Sequence, residues 1–425
     1  MAGALLARGM SGGDRVALLT TSTGDMLSAI LGALRVGIVP VLCHADLLEH
    51  ERDALLADAD SQLVVDDALL SRLLEGPSAD LAPFPLARPM HYTSGTTGEP
   101  KGVWTGVLRE PDAAALFDEE VEQWGFAADD LHLVCSPFHH SVAIRFGGGT
   151  LLQGGSVVIL GRFDAARATE AIVELSPTTT FMVPTHLQRL FARADLPDLS
   201  SFRLLAHAGA PCPDSLKLAA IDAFGVDAVW EFYGATEGQF TACSAAEWLE
   251  RPGTVGRARR HRRLFVDDDS AIWCEVPRHA RWTYWRDPDK TAGAWRGDAF
   301  TVGDLGRLDS DGYLFLDGRR DDLIITGGVN VYPAEIERAL CGMPGVDQVA
   351  VFGFDDERWG QRVCAAVVGE TDAATVLAFA RGRLASYKCP KEVFVVEDLP
   401  HTSTGKVQRG RLLEHLGLSP RPPRN

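Results

Sequence analysis

An alternation constrains this chain more than any other feature. From residue 14 to residue 233, short apolar runs recur with amphipathic segments between them. Arg15–Leu19, Ile38–Cys43, Leu63–Val65, Leu131–Ser136, Ser156–Leu160, Thr179–Val183, Arg203–Ala206 and Ala228–Phe232 read as strands of mostly buried type. Between them, Asp25–Arg35, Leu47–Ala57, Asp164–Glu174 and Pro213–Phe224 place apolar residues at helical spacing. Strand–helix alternation of this length implies α/β architecture: parallel sheets with helices packed on them. Ligands on such sheets bind at the carboxyl ends of the strands, where loops leave the core.

The pattern changes after about residue 254. Asp298–Leu308 and Tyr313–Asp317 flank Ser310-Asp311-Gly312, a strong hairpin signal in a small, barrel-like β region. Beyond Arg319 the chain reads strand, helix from Pro333, strands Gln348–Phe352 and Val363–Val368, helix Ala373–Leu384 and strand Val393–Val396. That is a compact α+β module of about a hundred residues, within the normal range for a domain. The expected division is a large N-terminal domain, 1–320, of parallel-rich sheets with packed helices, and a smaller C-terminal domain, 321–425.

Acidic residues outnumber basic ones, 58 to 41, for a net charge of −17. Such a surface repels phosphate backbones and anionic lipid, which argues against nucleic-acid and membrane-surface partners. The eight cysteines are scattered with no zinc-ligand spacing, as expected of buried thiols in a reducing cytoplasm. No secretory signal and no apolar run long enough to span a bilayer is read, so a soluble cytoplasmic protein is expected.

The clearest local signal is Tyr92-Thr93-Ser94-Gly95-Thr96-Thr97-Gly98-Glu99-Pro100-Lys101-Gly102. Its glycines let backbone approach an anion closely, its hydroxyls can donate to phosphate oxygens, and Lys101 supplies positive charge. The string resembles the phosphate-binding loop of the adenylate-forming superfamily of acyl- and aryl-CoA synthetases, peptide-synthetase adenylation domains and luciferases. Further segments resemble that family in order: Phe232 to Glu237 its Y-G-x-T-E motif, and Val302-Gly303-Asp304 its ribose-binding segment. Gly318-Arg319-Arg320-Asp321 with Gly328 to Glu337 resembles its hinge and following strand, and Thr404 to Arg409 its terminal lysine segment.

The resemblance implies an AMP-forming ligase that uses ATP and Mg²⁺ to activate a carboxylic acid and then acylates coenzyme A. A carrier protein, an amine or another acceptor is the alternative, and a non-catalytic nucleotide-binding relative a third. Ser94, Gly95, Thr96, Thr97, Gly98 and Lys101 are implied to hold the leaving phosphates. Glu237 offers the hard oxygen that Mg²⁺ prefers. Asp304 can accept from both ribose hydroxyls, and Arg319 is implied to belong to the nucleotide site. Tyr233 presents an aromatic face to adenine, and Gly209, Ala210, Pro211, Gly234 and Thr236 complete the nucleotide site. Lys406 is implied to reach the acid's carboxylate and the α-phosphate from a mobile C-terminal domain. Asp321 is the implied hinge, and Gly327 and Gly328 the wall of a tunnel for the pantetheine arm of CoA.

Pro137-Phe138-His139-His140-Ser141 resembles the segment beside the acid pocket. His140 is expected to touch the substrate rather than act as a base, because a carboxylate is already ionised at neutral pH. Ala143, Ala208, Gly234 and Gly238 suggest small-residue walls suited to an aryl or medium acyl group. The missing aspartate for a substrate ammonium argues against an α-amino acid. Arg257 to Arg263, a basic run on an acidic chain, reads as a solvated loop, with contact to the 3′-phosphate of CoA as the lesser alternative. Where family members usually open a strand with G-E-I-W, this chain has Ala271-Ile272-Trp273-Cys274-Glu275, and the stretch before it is compressed.

Overall fold

The computed structural model describes residues 1–43, 47–94, 100–319, 322–326, 329–356, 358–401 and 407–418. The expected buried strands form, and they sort into two large sheets. In the first, Leu63–Val65, Arg15–Leu18, Val39–Leu42 and Met90–Ser94 run parallel, and Pro100–Trp104 and Thr283–Tyr284 continue it antiparallel. In the second, Ser156–Ile159, Leu131–Val134, Thr179–Met182, Leu204–His207 and Val229–Gly234 run parallel. Gln239–Ser244 and Arg257–Ala258 extend that sheet antiparallel. In each sheet the last parallel strand is followed in the chain by an antiparallel neighbour, Met90–Ser94 by Pro100–Trp104 and Val229–Gly234 by Gln239–Ser244, and these two strand pairs flank the phosphate-loop string and the Glu237 segment.

Helix Ser141–Leu152 is buried along most of its length and serves both sheets. Ala143 and Ile144 join the core of the first sheet, whereas Phe146 packs with Phe181 and Phe232 of the second. Gly149 permits the fit: a Cβ there would lie 2.4 Å from the Phe126 ring. Helix Gly24–Leu34 begins at Thr23, whose hydroxyl accepts from the Met26 amide at 3.3 Å, and buries Met26, Leu27, Ile30 and Leu34.

The β region that follows differs from the expected long strand over Asp298–Leu308. Ala299–Phe300 belongs to a four-stranded sheet with Arg263–Val266, Ile272–Glu275 and Trp295–Arg296, whereas Asp304–Leu308 pairs with Leu314–Arg319. The break falls at Gly303, whose φ of +83° leaves the extended region.

The small C-terminal domain holds a five-stranded sheet. Gln348–Asp356 and Gly360–Val368 form its long antiparallel hairpin, and Glu392–Val396 adds in parallel. One face packs on helices Pro333–Cys341 and Ala373–Arg381 through Ile336, Leu340 and Val376, and the other on helix Arg409–His415 through Leu412. All eight cysteines are free thiols. No described helix is long and apolar enough to cross a membrane.

Candidate active site

Lys101 leaves the phosphate-loop hairpin on strand Pro100–Trp104, opposite Thr93. Its Nζ is buried and has no hydrogen-bond partner among the described residues. Burying an ammonium without a hydrogen-bond partner is costly, so this position favours an anionic acceptor. Gly95, Thr96, Thr97 and Gly98 lie outside the described residues. Ser94 ends the preceding strand.

Glu237 sits in the four-residue turn between Val229–Gly234 and Gln239–Ser244, where the Ala235 amide donates to the Gly238 carbonyl at 2.8 Å. The turn is closely packed: a Cβ on Gly234 would lie 2.7 Å from that same carbonyl and 2.8 Å from Cα of Gln239. Glu237 is 6% exposed, and Tyr284 donates its hydroxyl to Oε1 at 2.9 Å. Arg88 clamps the turn from the other side, donating to the carbonyls of Thr236 at 3.0 Å and Glu237 at 3.4 Å. The carboxylate is thus oriented, with lone pairs left for a hard cation.

Asp304 is held between two strands and a third element. Tyr233 donates its hydroxyl to Oδ2 at 2.6 Å, and Arg319, directly across the hairpin, donates Nε to Oδ1 at 3.1 Å. Burial, then the neighbouring Asp304 carboxylate, holds the Tyr233 hydroxyl protonated far above neutral pH. The Tyr233 ring packs against Phe240 at 4.9 Å within the β-region core. Its described role is to position Asp304; the expected aromatic face for adenine is largely covered, with Tyr233 only 9% exposed. Gly209, with φ of +94°, Ala210 and Pro211 form the exposed turn after strand Leu204–His207, at its carboxyl end.

His140 immediately precedes helix Ser141–Leu152, and its ring lies 4.1 Å from that of His139. A cavity of about 150 Å³ opens beside it, bounded by Ser141, Ile144 and Arg145 of this helix, by Gly238 of the Glu237 turn and by Gln239 of the strand that follows. Of the small residues expected to wall the acid, Gly238 borders this cavity, whereas Ala143 and Ala208 are packed in hydrophobic clusters. Asp321, Gly327, Gly328 and Lys406 lie outside the described residues.

The basic run departs from its expected solvated state. Arg259 is 4% exposed, with Nη1 at 2.8 Å from Glu120; Arg262 reaches Glu119 at 2.7 Å. Both glutamates come from helix Glu110–Trp124, and they draw the arginines inward because a buried guanidinium is tolerable only when paired. Arg260, paired with Glu122, and Arg263, paired with Glu275, remain exposed. Sequence reasoning also missed Tyr284 and Arg88, which act on Glu237 from 47 and 149 residues away. No local pattern signals either.

Parallel-rich sheets, paired helices and a small C-terminal domain give the architecture of adenylate-forming enzymes. The chain belongs to the AMP-binding enzyme family, which matches residues 1–82 and 89–273, with the family's C-terminal domain matching 335–406. An indoleacetate–CoA ligase of Aromatoleum aromaticum is 33% identical, aligned over 96% of this chain and 89% of its own length. MatB of Rhodopseudomonas palustris, solved with ATP bound, is similar at TM-score 0.84 and 30% identity, covering 97% of this chain and 91% of that one. The amide bond synthetase McbA of Marinactinospora thermotolerans is similar at TM-score 0.84 and 28% identity, covering 97% and 92%.

Proposed function

We propose that this protein is an AMP-forming acid–thiol ligase, which activates a carboxylic acid with ATP and passes the acyl group to coenzyme A. The observation that carries the reading is Lys101: a buried ammonium with no hydrogen-bond partner among the described residues, at the exit of a glycine- and hydroxyl-rich sequence, as phosphate binding requires. Family membership and a CoA ligase at 33% identity support the same chemistry.

In the first half-reaction a carboxylate oxygen of the acid bonds to the α-phosphorus of ATP, and the bond to pyrophosphate breaks. Lys101 and the loop Ser94 to Gly98 hold the departing phosphates, and Asp304 accepts from the ribose hydroxyls in the orientation that Tyr233 and Arg319 impose. Glu237 is the residue that would hold Mg²⁺, which would neutralise phosphate charge there. Lys406 supplies the second cation where negative charge develops. In the second half-reaction the CoA sulfur bonds to the acyl carbon, and AMP leaves with the electron pair of the broken acyl–oxygen bond. The working division is 1–320 and 321–425, with a hinge at Asp321 and a passage for the pantetheine arm along Gly327 and Gly328. Transfer to an amine is the second reading, favoured by the likeness to an amide bond synthetase.

Pyrophosphate release with a panel of acids, with and without CoA, tests the proposal. Release with thioester formation is expected; release without thioester favours another acceptor, and no release with any acid overturns the reading. Lys406→Ala is expected to lose adenylation yet still bind ATP. Full adenylation by that variant removes Lys406 from the mechanism.

A further inference from the structure

The cavity beside His140 is lined by residues of two unlike kinds. Leu31, Leu116, Phe126, Ile144 and Phe300 are apolar, and its volume, about 150 Å³, suits an aromatic ring or a short methylene chain. Four guanidinium-bearing residues, Arg88, Arg145, Arg259 and Arg262, also border it. Among the described residues, three carboxylates face them. Glu120 pairs with Arg259 at 2.8 Å and Arg145 at 3.3 Å, and Glu119 is shared between Arg262 and His279, each at 2.7 Å. Glu237, the third, acts on Arg88 while accepting the Tyr284 hydroxyl. His91 adds no charge, because burial lowers its pKa to about 3.

Four guanidiniums against three carboxylates leave one positive charge in excess, which a largely buried cluster does not keep without a counter-anion. Two further groups are unpaired there. Nε of Arg262 is buried without a partner, and Gln239, 3% exposed, has no partner for either its amide nitrogen or its oxygen among the described residues. Gln239 borders the cavity and lies two residues beyond Glu237, so cavity and nucleotide site adjoin.

We infer that the acid this enzyme activates carries a second carboxylate, which is bound at the far end of the cavity by Arg88, Arg145, Arg262 and Gln239. The inference rests on the proposed acid activation and adds its substrate class. One carboxylate reacts at the α-phosphorus, the carbon skeleton lies along the apolar residues, and the other carboxylate meets the arginines, whose forked donors fit it in pairs. An acid with a single carboxylate must place it in one position or the other and cannot fill both.

The test pairs dicarboxylates, from malonate through suberate and terephthalate, with their monomethyl esters. Pyrophosphate release gives kcat/KM, and calorimetry gives binding without turnover. At least one diacid is expected to exceed its monoester on the order of 10- to 100-fold in both readouts. Gln239→Leu is expected to narrow that preference several-fold while leaving the melting temperature unchanged or higher, since it removes an unpaired buried amide. Arg145→Gln is expected to abolish the preference, with circular dichroism confirming that the variant folds. Monoesters used and bound as well as every diacid overturn the inference and leave acid activation standing. Selective binding of diacids with no pyrophosphate from any acid overturns acid activation and keeps the pocket assignment.

Discussion

At the scale of single residues, the site is organised by buried donors that fix the direction of carboxylates. Asp304 accepts from Tyr233 and Arg319, and Glu237 accepts from Tyr284. Removing a donor from a buried carboxylate leaves part of its hydration loss uncompensated, which costs about 1–3 kcal/mol. Tyr233→Phe keeps the ring that packs on Phe240 and deletes only the hydroxyl. It is therefore expected to lower stability by that amount and to raise the ATP KM about tenfold, with the acid's KM little changed. Steady-state kinetics with each substrate varied in turn checks the split; equal changes in both KM values count against Asp304 as a nucleotide-specific anchor. Asp304 and Glu237 were legible in the chain as acidic residues in small-residue turns, and Lys101 as the cation of a glycine-rich loop. Their partners were not legible. The burial of Arg259 depends on a glutamate 139 residues away, and nothing within the basic run itself distinguishes the inward arginines from the exposed ones.

Among elements, the two hairpins that end the parallel parts of the sheets deliver the phosphate loop and Glu237. Alternation in the sequence foretold the strands well, because buried parallel strands must be apolar throughout. It could not foretell that Asp298–Leu308 divides between two sheets, since the division depends on the conformation of Gly303. A different device operates in the C-terminal domain. Arg409, at the start of helix Arg409–His415, donates to both oxygens of Glu337 at 2.6 and 2.8 Å and to Asp322 at 3.1 Å. Glu337 also accepts from the Val351 amide at 2.8 Å. One guanidinium thus joins the segment just past Lys406, the residue just past Asp321 and the first helix of the domain. Arg409→Met is expected to reduce the adenylation kcat at least tenfold, with ATP still bound by the N-terminal domain. Equilibrium nucleotide binding beside single-turnover pyrophosphate release measures both, and an unchanged kcat removes the clasp from any positioning role.

For the molecule as a whole, the interior holds several imidazoles that burial keeps neutral. The pKa of His91 and of His132 falls to about 3, and that of His186 and of His207 to about 4, in each case chiefly through loss of hydration. Unfolded histidine titrates near 6.5, so below that pH the unfolded chain takes up protons that the folded chain refuses. Stability is fully present above about pH 6.5 and declines as the pH drops towards 4 and then 3. Thermal melts from pH 8 to pH 4 are expected to give a plateau and then a steady fall, with His132→Asn shallower than the parent; a flat profile to pH 4 contradicts the assignment. Fold class was the most legible property of the sequence, because it rests on periodicity alone. The cavity was the least, because its walls come from helices Gly24–Leu34, Glu110–Trp124 and Ser141–Leu152 together with strand and loop residues whose mutual approach no local pattern encodes.

The pairing of Asp304 with Arg319 has a mechanical side. These two residues occupy the last rung of their ladder, and the chain runs on from Arg319 towards the C-terminal domain with only a short stretch between. If the proposed function holds, the rung that anchors the sugar is also the last one before the C-terminal domain, so a seated nucleotide is expected to stiffen that junction and its departure to loosen it.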